Sequence, residues 1–410
     1  MVAHEQGGAV QKDLYAEGLG DVLDLNHGDK FRKRWKLVSA EYVILDVLMK
    51  KIGLLAFAVS LAFAQNMQAE ELDPFLGSPF FVKAFDAGDS AQYHATLVHY
   101  APQPEPAGDS AATVAAPSTG AADSAGEQQA VNVRKAAVLY IHGFNDYFFQ
   151  RDLAQKMDSA GYAFYAIDLH KYGRSYREGE TIGELRDISE YYAELDSAIA
   201  FIRRAEGDST KLVLLGHSTG GLIACLYAAD RENGAGIAAI VLNSPFLEMN
   251  YPWPVRRLAV PVLSVVGAIF PGLGIPRGHN ENYDKSLLKT DYGEWEYNTE
   301  LKVRGSLPID FGWLHAIHAG HARLQEGLRL VPPVLVMHSG CSFRDDDWSE
   351  EYTRCDGVLN VEHIREYGRN LGPSVQLEEI EGGLHDLFLS HKPARDNAYA
   401  AMFRFLESRL

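Results

Sequence analysis

Residues 212–221 (LVLLGHSTGG) constrain the fold of this chain more than any other stretch, because they place one serine between an apolar run and a helix-forming segment. The run of four apolar residues is typical of a buried strand, and the small residues that follow are typical of a helix lying close on a sheet. Ser218 therefore stands at the tip of a sharp strand-to-helix turn, which Gly216 and Gly220 make sterically possible. This pattern predicts a nucleophilic serine next to the free N–H groups of a helix N-terminus.

A serine hydroxyl is a weak nucleophile at neutral pH, so Ser218 needs a base and an acid that orients this base. His385 is the predicted base. It follows a predicted strand at residues 375–380, on a loop that Gly382 and Gly383 loosen. The order along the chain is then serine, acid, histidine, which places the acid between the two.

The acid has two candidate positions after the predicted strand 334–338, which no carboxylate follows at the usual short distance. Asp345, Asp346 and Asp347 belong to a charged run that is typical of a solvated loop. Asp356 precedes a helix-like stretch, 361–371, where a carboxylate can be buried as an orienting acid requires. Asp356 is favoured, and the triplet is the alternative.

These pieces give the chain a resemblance to a known superfamily. Residues 142–147 (HGFNDY), 168–175 (DLHKYGRS), the Ser218 turn, 243–245 (NSP) and 383–385 (GLH) resemble the α/β-hydrolases, in particular the monoglyceride-lipase and lysophospholipase-like S33-type serine hydrolases. The resemblance covers about residues 72–410. It implies an α/β-hydrolase fold, a mostly parallel doubly wound sheet with an inserted cap, and an oxyanion hole formed by the amides of Phe144 and Thr219. The long segment before Asp356 departs from the family.

The predicted organisation is a hydrolase core in two parts, 72–244 and 332–410, with a cap or lid at 245–331 between them. Residues 101–131 have a low-complexity composition and are predicted to be a disordered insertion. This insertion is interpreted as an enlarged hairpin loop that joins the predicted strands 93–100 and 136–141. In the cap, the uncharged run 258–276 contains three prolines and lies between core strands, which argues against a membrane span. It either binds an apolar ester or packs on the core.

The leader, residues 1–64, contains a segment at 49–64 with the form of a signal peptide: two lysines, an apolar run and a small-residue cleavage site. We expect translation to begin at Met49 and the protein to be exported, periplasmic or secreted; without a working signal it would be cytoplasmic. Cys341 and Cys355 bracket the segment before Asp356. They would pair in an oxidising compartment and remain free thiols in the cytoplasm.

The net charge of −17 argues against a nucleic-acid-binding protein and implies that any transient membrane contact through the cap is mainly apolar. His315, His318 and His321 have a helical spacing that could present two imidazoles together, but no acidic or cysteine partner lies near them in sequence. A polar cap helix is therefore favoured over a metal site. We expect no metal and no organic cofactor.

The resemblance and the Ser218, Asp356 and His385 pattern predict a serine ester hydrolase that forms an acyl-enzyme. Its substrate would be a small-molecule or lipid ester, such as an acylglycerol or a lysophospholipid-like molecule. Two alternatives stay open: an aminopeptidase or amidase of the same fold, and a catalytically silent binding protein.

Overall fold

The computed structural model describes residues 70–102, 134–231, 236–275 and 280–410. The predicted signal peptide at 49–64 lies outside these ranges, as does the low-complexity insertion from residue 103 onward. Both therefore stay predictions.

From residue 137 onward, the described residues of the core alternate between strands and helices. The strands are β1 (Glu71–Leu72), β2 (Phe80–Ala87), β3 (Tyr93–Tyr100), β4 (Ala137–Ile141), β5 (Ala163–Asp168), β6 (Leu212–His217), β7 (Ile237–Asn243), β8 (Gly274–Ile275), β9 (Ile309–Asp310), β10 (Val334–Ser339) and β11 (Val375–Ile380). The α-helices are α1 (Arg151–Ser159), α2 (Tyr192–Glu206), α3 (Thr219–Asp230), α4 (Val260–Ile269), α5 (Asn282–Leu287), α6 (Phe311–Gln325), α7 (Val361–Gly368) and α8 (Lys392–Arg409).

The main sheet has nine strands in the order β1-β2-β3-β5-β4-β6-β7-β10-β11. In this order, the last six strands (β5, β4, β6, β7, β10 and β11) pair in parallel with one another. At the other edge, β1, β2 and β3 pair antiparallel, and β3 also pairs antiparallel with β5. Every residue of β4 and of β6 is buried, as expected for parallel strands with helices on both faces. The predicted mostly parallel α/β-hydrolase sheet is confirmed.

The predicted hairpin between strands 93–100 and 136–141 is wrong. β3 pairs antiparallel with β2 and with β5, and β4 pairs in parallel with β5 and β6. The crossover through α1 brings β5 beside β4, so that β5 lies between β3 and β4, the two strands of the predicted hairpin.

Apolar residues of the parallel strands alternate between two hydrophobic clusters, one on each face of the sheet. Leu139 and Leu214 pack with α2, α3, α6 and α7 on one face. Val138 and Val213 pack with α1 and α8 on the other. This alternation is the period-two pattern of a sheet covered on both sides. Because the strands from β5 to β11 in the sheet order are parallel, their carboxyl ends lie along one edge.

The chain between β7 and β10 carries a π-helical turn at Val255–Ala259, helices α4, α5 and α6, and the two-stranded antiparallel ribbon β8–β9. The apolar run has two faces. Val260, Ser264 and Gly267 of α4 are buried, and a Cβ at Gly267 would meet the Phe311 carbonyl oxygen at 2.0 Å, so α4 and α6 are in close contact. The opposite face is exposed to solvent, so the interpretation of this run as core packing holds for one face alone.

Within the part of the chain that the structure describes, no helix combines the length and the apolar character needed to cross a bilayer.

Candidate active site

Ser218 occupies a strained turn between β6 and α3. Its backbone has φ 51° and ψ −117°, a conformation that a residue with a side chain rarely adopts. A Cβ at Gly220 would lie 2.2 Å from the Ile141 carbonyl oxygen, and one at Gly216 would lie 2.6 Å from the Gly220 carbonyl oxygen. Glycine at both positions therefore lets the turn close and leaves the Ser218 side chain at the edge of the sheet.

A hydrogen-bonded chain links Ser218, His385 and Asp356. His385 Nε2 lies 3.0 Å from Ser218 Oγ, and His385 Nδ1 lies 2.9 Å from Asp356 Oδ2. The three residues follow β6, β11 and β10, whose carboxyl ends meet at the same edge of the sheet. With the Nδ1–H donated to the carboxylate, Nε2 is free to accept the serine proton, which is the arrangement that nucleophilic catalysis by serine requires.

Asp356 is held in a buried position, 1% exposed. Its Oδ1 accepts hydrogen bonds from the amides of Val358 and Leu359 at 2.8 and 2.7 Å, which leaves Oδ2 for His385. The alternative acids, residues 345–347, are exposed to solvent. The structure thus brings Asp356 to His385 and places the aspartate triplet in the solvated loop that its charge pattern indicated.

The long segment before Asp356 is closed at its base. Cys341 and Cys355 form a disulfide, with their Cα atoms 4.9 Å apart. Beside it, the Asp356 amide donates to the Cys341 carbonyl at 2.9 Å and the Phe343 amide donates to the Asp356 carbonyl at 3.0 Å. The chain therefore returns to within two residues of the end of β10 before it presents its carboxylate, despite the length of the insertion.

The predicted oxyanion residues lie beside Ser218. Thr219 is the first residue of α3, and the loop after β4 passes so close that a Cβ at Gly143 would lie 3.0 Å from Ser218 Cβ. His142 fixes this loop, because its Nδ1 lies 2.7 Å from the Gly143 carbonyl and its Nε2 accepts the Leu169 amide at 3.0 Å. The role of the Phe144 and Thr219 amides as oxyanion donors stays a prediction.

Two residues next to His385 were missed in the sequence. Tyr283, on α5, packs edge-on against the His385 ring at 5.7 Å between centroids, and its hydroxyl accepts the Asp386 amide at 3.1 Å. His217 lies 4.9 Å from the same ring, and burial lowers its pKa, which favours the neutral imidazole. Nothing local marks Tyr283, since it is about a hundred residues from His385. His217 could have been noted from its position beside Ser218 in the sequence.

The NSP motif supports the His385 loop from β7. The Asn243 carboxamide donates to Asp386 Oδ1 at 2.7 Å and accepts the Leu387 amide at 3.1 Å. Because Asp386 and Leu387 directly follow His385, the orientation of the histidine depends on this buried asparagine.

The three histidines of α6 have partners that do not form a metal centre. His315 and His318 both lie near Ser264 Oγ, at 3.0 and 3.1 Å, and His321 Nε2 is 2.9 Å from the Phe246 carbonyl. Across the described ranges, no group of three or more His, Cys, Asp or Glu side chains is arranged to hold a metal ion.

This chain is similar to known hydrolases in sequence. The family model described as serine aminopeptidase, S33, matches residues 132–391. The phospholipase YtpA of Bacillus subtilis is 26% identical over 279 residues, covering 66% of this chain and 95% of that protein. A monoacylglycerol lipase of Mycolicibacterium smegmatis is 29% identical over 207 residues, covering 50% of this chain and 69% of that protein.

Among solved structures, a soluble variant of the monoglyceride lipase of Saccharomyces cerevisiae in complex with a substrate analogue superposes with a TM-score of 0.55. The match covers 83% of this chain and 96% of that one at 16% identity, a level that establishes a shared fold.

Proposed function

The chain belongs to the S33 serine aminopeptidase family of α/β-hydrolases, and from this membership we propose that it hydrolyses carboxylic esters through an acyl-enzyme on Ser218. The observation that carries the proposal is the continuous hydrogen-bonded chain from Ser218 through His385 to buried Asp356. Related proteins named as a phospholipase and a monoacylglycerol lipase support an ester as the substrate.

In the proposed reaction, His385 Nε2 takes the proton of Ser218 as Oγ attacks the ester carbonyl carbon. The amides of Phe144 and Thr219 bind the negative oxygen of the tetrahedral intermediate. The intermediate collapses with cleavage of the bond to the alcohol oxygen, and His385 returns the proton to the departing alcohol. A water molecule then gives a proton to His385 Nε2 as its oxygen attacks the acyl carbon, the bond to Ser218 Oγ breaks, and His385 returns the proton to Oγ. Asp356 holds the neutral imidazole in the reactive tautomer and stabilises the imidazolium that forms in each step.

An acylglycerol or a lysophospholipid-like ester is the substrate class we propose, because the cap offers an apolar surface. Leu258, Val262, Val265 and Ile269 recur at intervals of four, three and four residues and are 63–64% exposed. Such spacing aligns them on one helix face. A contiguous exposed apolar face of this kind is typical of a lipid or protein contact site.

We propose that this face makes transient contact with a lipid surface that contains the ester. The double variant Val265→Asp/Ile269→Asp tests the contact, with Val331→Asp as a matched control, because Val331 is also exposed but lies after the cap helices. We expect the double variant to hydrolyse a soluble acetate ester at the wild-type rate and to lose activity on vesicles that contain a long-chain monoacylglycerol. Equal loss on both substrates, or loss in the Val331 control, would contradict the proposed contact.

Amide hydrolysis is the second candidate, and the description of the matching family as serine aminopeptidase favours it. A panel of p-nitrophenyl esters from acetate to palmitate, assayed beside aminoacyl anilides, separates the two. We expect medium-chain esters to react fastest. Faster turnover of the anilides would replace ester hydrolysis by peptidase activity, and a wild-type chain that a fluorophosphonate does not label would indicate a silent binding protein.

We also propose that the protein is exported. The signal-like segment 49–64 supports export, and so does the Cys341–Cys355 bond, since structural disulfides persist mainly in oxidising compartments. Fractionation of cells that express the full chain, with N-terminal sequencing of the product, tests it. We expect a mature N-terminus directly after Ala64 in the exported fraction, and an uncleaved cytoplasmic product would contradict export.

A further inference from the structure

The cap segment that follows α4 is anchored in the core. Its apolar residues pack on core residues near His385, and the Trp295 indole N–H donates to the Leu389 carbonyl at 2.6 Å. The cluster contains Tyr147, Phe149, Leu384 and Leu389 of the core and Tyr283, Leu287, Trp295, Tyr297 and Leu301 of the cap. This part of the cap is therefore a fixed wall of the site, in contrast to the exposed face of α4.

Asn145, in the loop after β4, binds the same cap segment through its side chain. Its carboxamide donates to the carbonyls of Val303 and Gly305 at 2.7 and 3.2 Å and accepts the Val303 amide at 3.0 Å. The Asn145 backbone has a φ of 53°. Asparagine adopts this left-handed region more readily than most residues with a side chain. The carboxamide therefore ties the loop to the cap much as a paired strand would.

Lys302 makes a second connection between the two segments. Its ammonium donates to Asp146 Oδ1 at 3.1 Å and to the Asn145 carbonyl at 3.3 Å. The side chains of Lys302 and Asp146 are only 9% and 3% exposed. A buried ion pair stabilises a fold little, because desolvation offsets the attraction, and its best-attested use is to fix a register. Here the ion pair fixes the position of the loop after β4 relative to the cap.

Phe144 lies between these connections and the nucleophile. On one side, Gly143 lies so close to Ser218 that a Cβ at Gly143 would be 3.0 Å from Ser218 Cβ, and on the other, Asn145 and Asp146 bind the cap. The Phe144 ring packs against Trp313 of α6 at 4.9 Å between centroids. The peptide group that would donate to the oxyanion is thus held from both of its ends and through its side chain.

We propose that Asn145 and Lys302 are positioning residues for the oxyanion hole: they hold the Phe144 amide in place by fastening its loop to cap residues 302–305. This inference rests on the proposed ester hydrolysis and adds to it a role for the cap in the chemical step. Removal of an oxyanion donor costs about 10²- to 10³-fold in kcat, so we expect displacement of one to cost about 10- to 100-fold.

Three variants test the proposal. Asn145→Gly keeps the left-handed backbone accessible and removes the three side-chain hydrogen bonds. Lys302→Met removes the ammonium, and Lys302→Met/Asp146→Asn removes the ammonium without leaving a buried unpaired carboxylate. Lys289→Met is the matched control, because Lys289 pairs with Glu296 on the exposed surface of the cap.

The measurements are kcat per site titrated to completion with a fluorophosphonate, KM, and the inhibition constant of a trifluoromethyl ketone that mimics the tetrahedral intermediate. We expect kcat per site to fall, KM to change less than about threefold, and the ketone to weaken in proportion to kcat/KM. The Lys289 control should match the wild type.

A lower titrated fraction with unchanged kcat per site in all three variants would overturn the proposal, because it would show a contribution to folding alone. A ketone affinity that stays constant while kcat falls would also overturn it, since the loss would then lie outside the oxyanion hole. Failure of the proposed function has a different signature: a wild-type chain that neither labels at Ser218 nor hydrolyses an ester, which overturns both.

Discussion

Breaking the Cys341–Cys355 bond should both lower the unfolding free energy of the protein and lower kcat of the proposed ester hydrolysis. The two cysteines are 14 residues apart, so the bond closes a loop of about 15 residues. In the chain-entropy model, closing a loop of this length lowers the conformational entropy of the unfolded chain. The folded state is thereby stabilised by about 3 kcal/mol at 25 °C, or about a hundredfold in the unfolding equilibrium. We therefore expect the double variant Cys341→Ser/Cys355→Ser to lose about 3 kcal/mol of unfolding free energy.

Urea unfolding followed by tryptophan fluorescence measures this loss, with and without dithiothreitol. Reduction should bring the wild type to the stability of the double variant and leave the variant unchanged. Cys225→Ala is the control, because Cys225 is a buried free thiol in α3 and its removal should keep the full response to dithiothreitol. If oxidised wild type, reduced wild type and double variant unfold at the same urea concentration, the loop-closure argument is wrong.

The catalytic effect follows from the position of Asp356 directly after Cys355. Without the bond, hydrogen bonds alone hold the carboxylate toward His385: those at the base of the insertion and those that Asp356 Oδ1 accepts from the amides of Val358 and Leu359. We expect kcat to fall about tenfold or more, in keeping with the large cost of losing the orienting acid. In an Asp356→Asn background the same change should have little further effect, since coupled residues are non-additive. Equal losses in both backgrounds would show that the bond acts on the fold and not on the acid.

Three further outcomes are expected. Ser218→Ala should abolish ester hydrolysis and fluorophosphonate labelling, whereas Ser244→Ala should keep the labelling; a labelled Ser218→Ala protein would refute the assignment of the nucleophile. Asp356→Asn should lower kcat by about 10⁴-fold and Asp345→Asn should be nearly silent, and the reverse ranking in a kcat assay would place the acid in the exposed triplet. Burial lowers the pKa of His321 to about 4, so the unfolding free energy should fall by about 3 kcal/mol in total as pH decreases from about 6.5 to 4. Chemical denaturation of His321→Gln should show a smaller loss over this range.

The sequence predicted the parts of the site that depend on local strand and turn patterns. Ser218 is marked by the apolar strand before it and the small residues after it, and His385 by its loop after the last strand. Asp356 could be separated from the triplet because a charged run is typical of solvent, whereas an orienting acid must be buried.

The remaining features depend on contacts between residues distant in the chain. Lys302 and Asp146 are 156 residues apart, and nothing in either neighbourhood marks a partner. The partner of β3 was predicted wrongly for the same reason, since alternation indicates a strand but not its neighbour. In α4, the apolar residues occur on all sides, so no polar stripe in the sequence could show which face is exposed.

The insertion between Cys341 and Cys355 also reaches the cap, where Trp348 stacks on Tyr292 at 4.0 Å between centroids and the Asn282 carboxamide donates to the Asp346 carbonyl at 3.1 Å. Because the disulfide joins the two ends of the insertion, the number of residues between them is decoupled from the position of the acid. The length and sequence of this loop, and with them the surface that contacts the cap, can therefore change during evolution while the Asp356 carboxylate keeps its position beside His385. A protein engineer could use the same two positions as attachment points for a grafted segment.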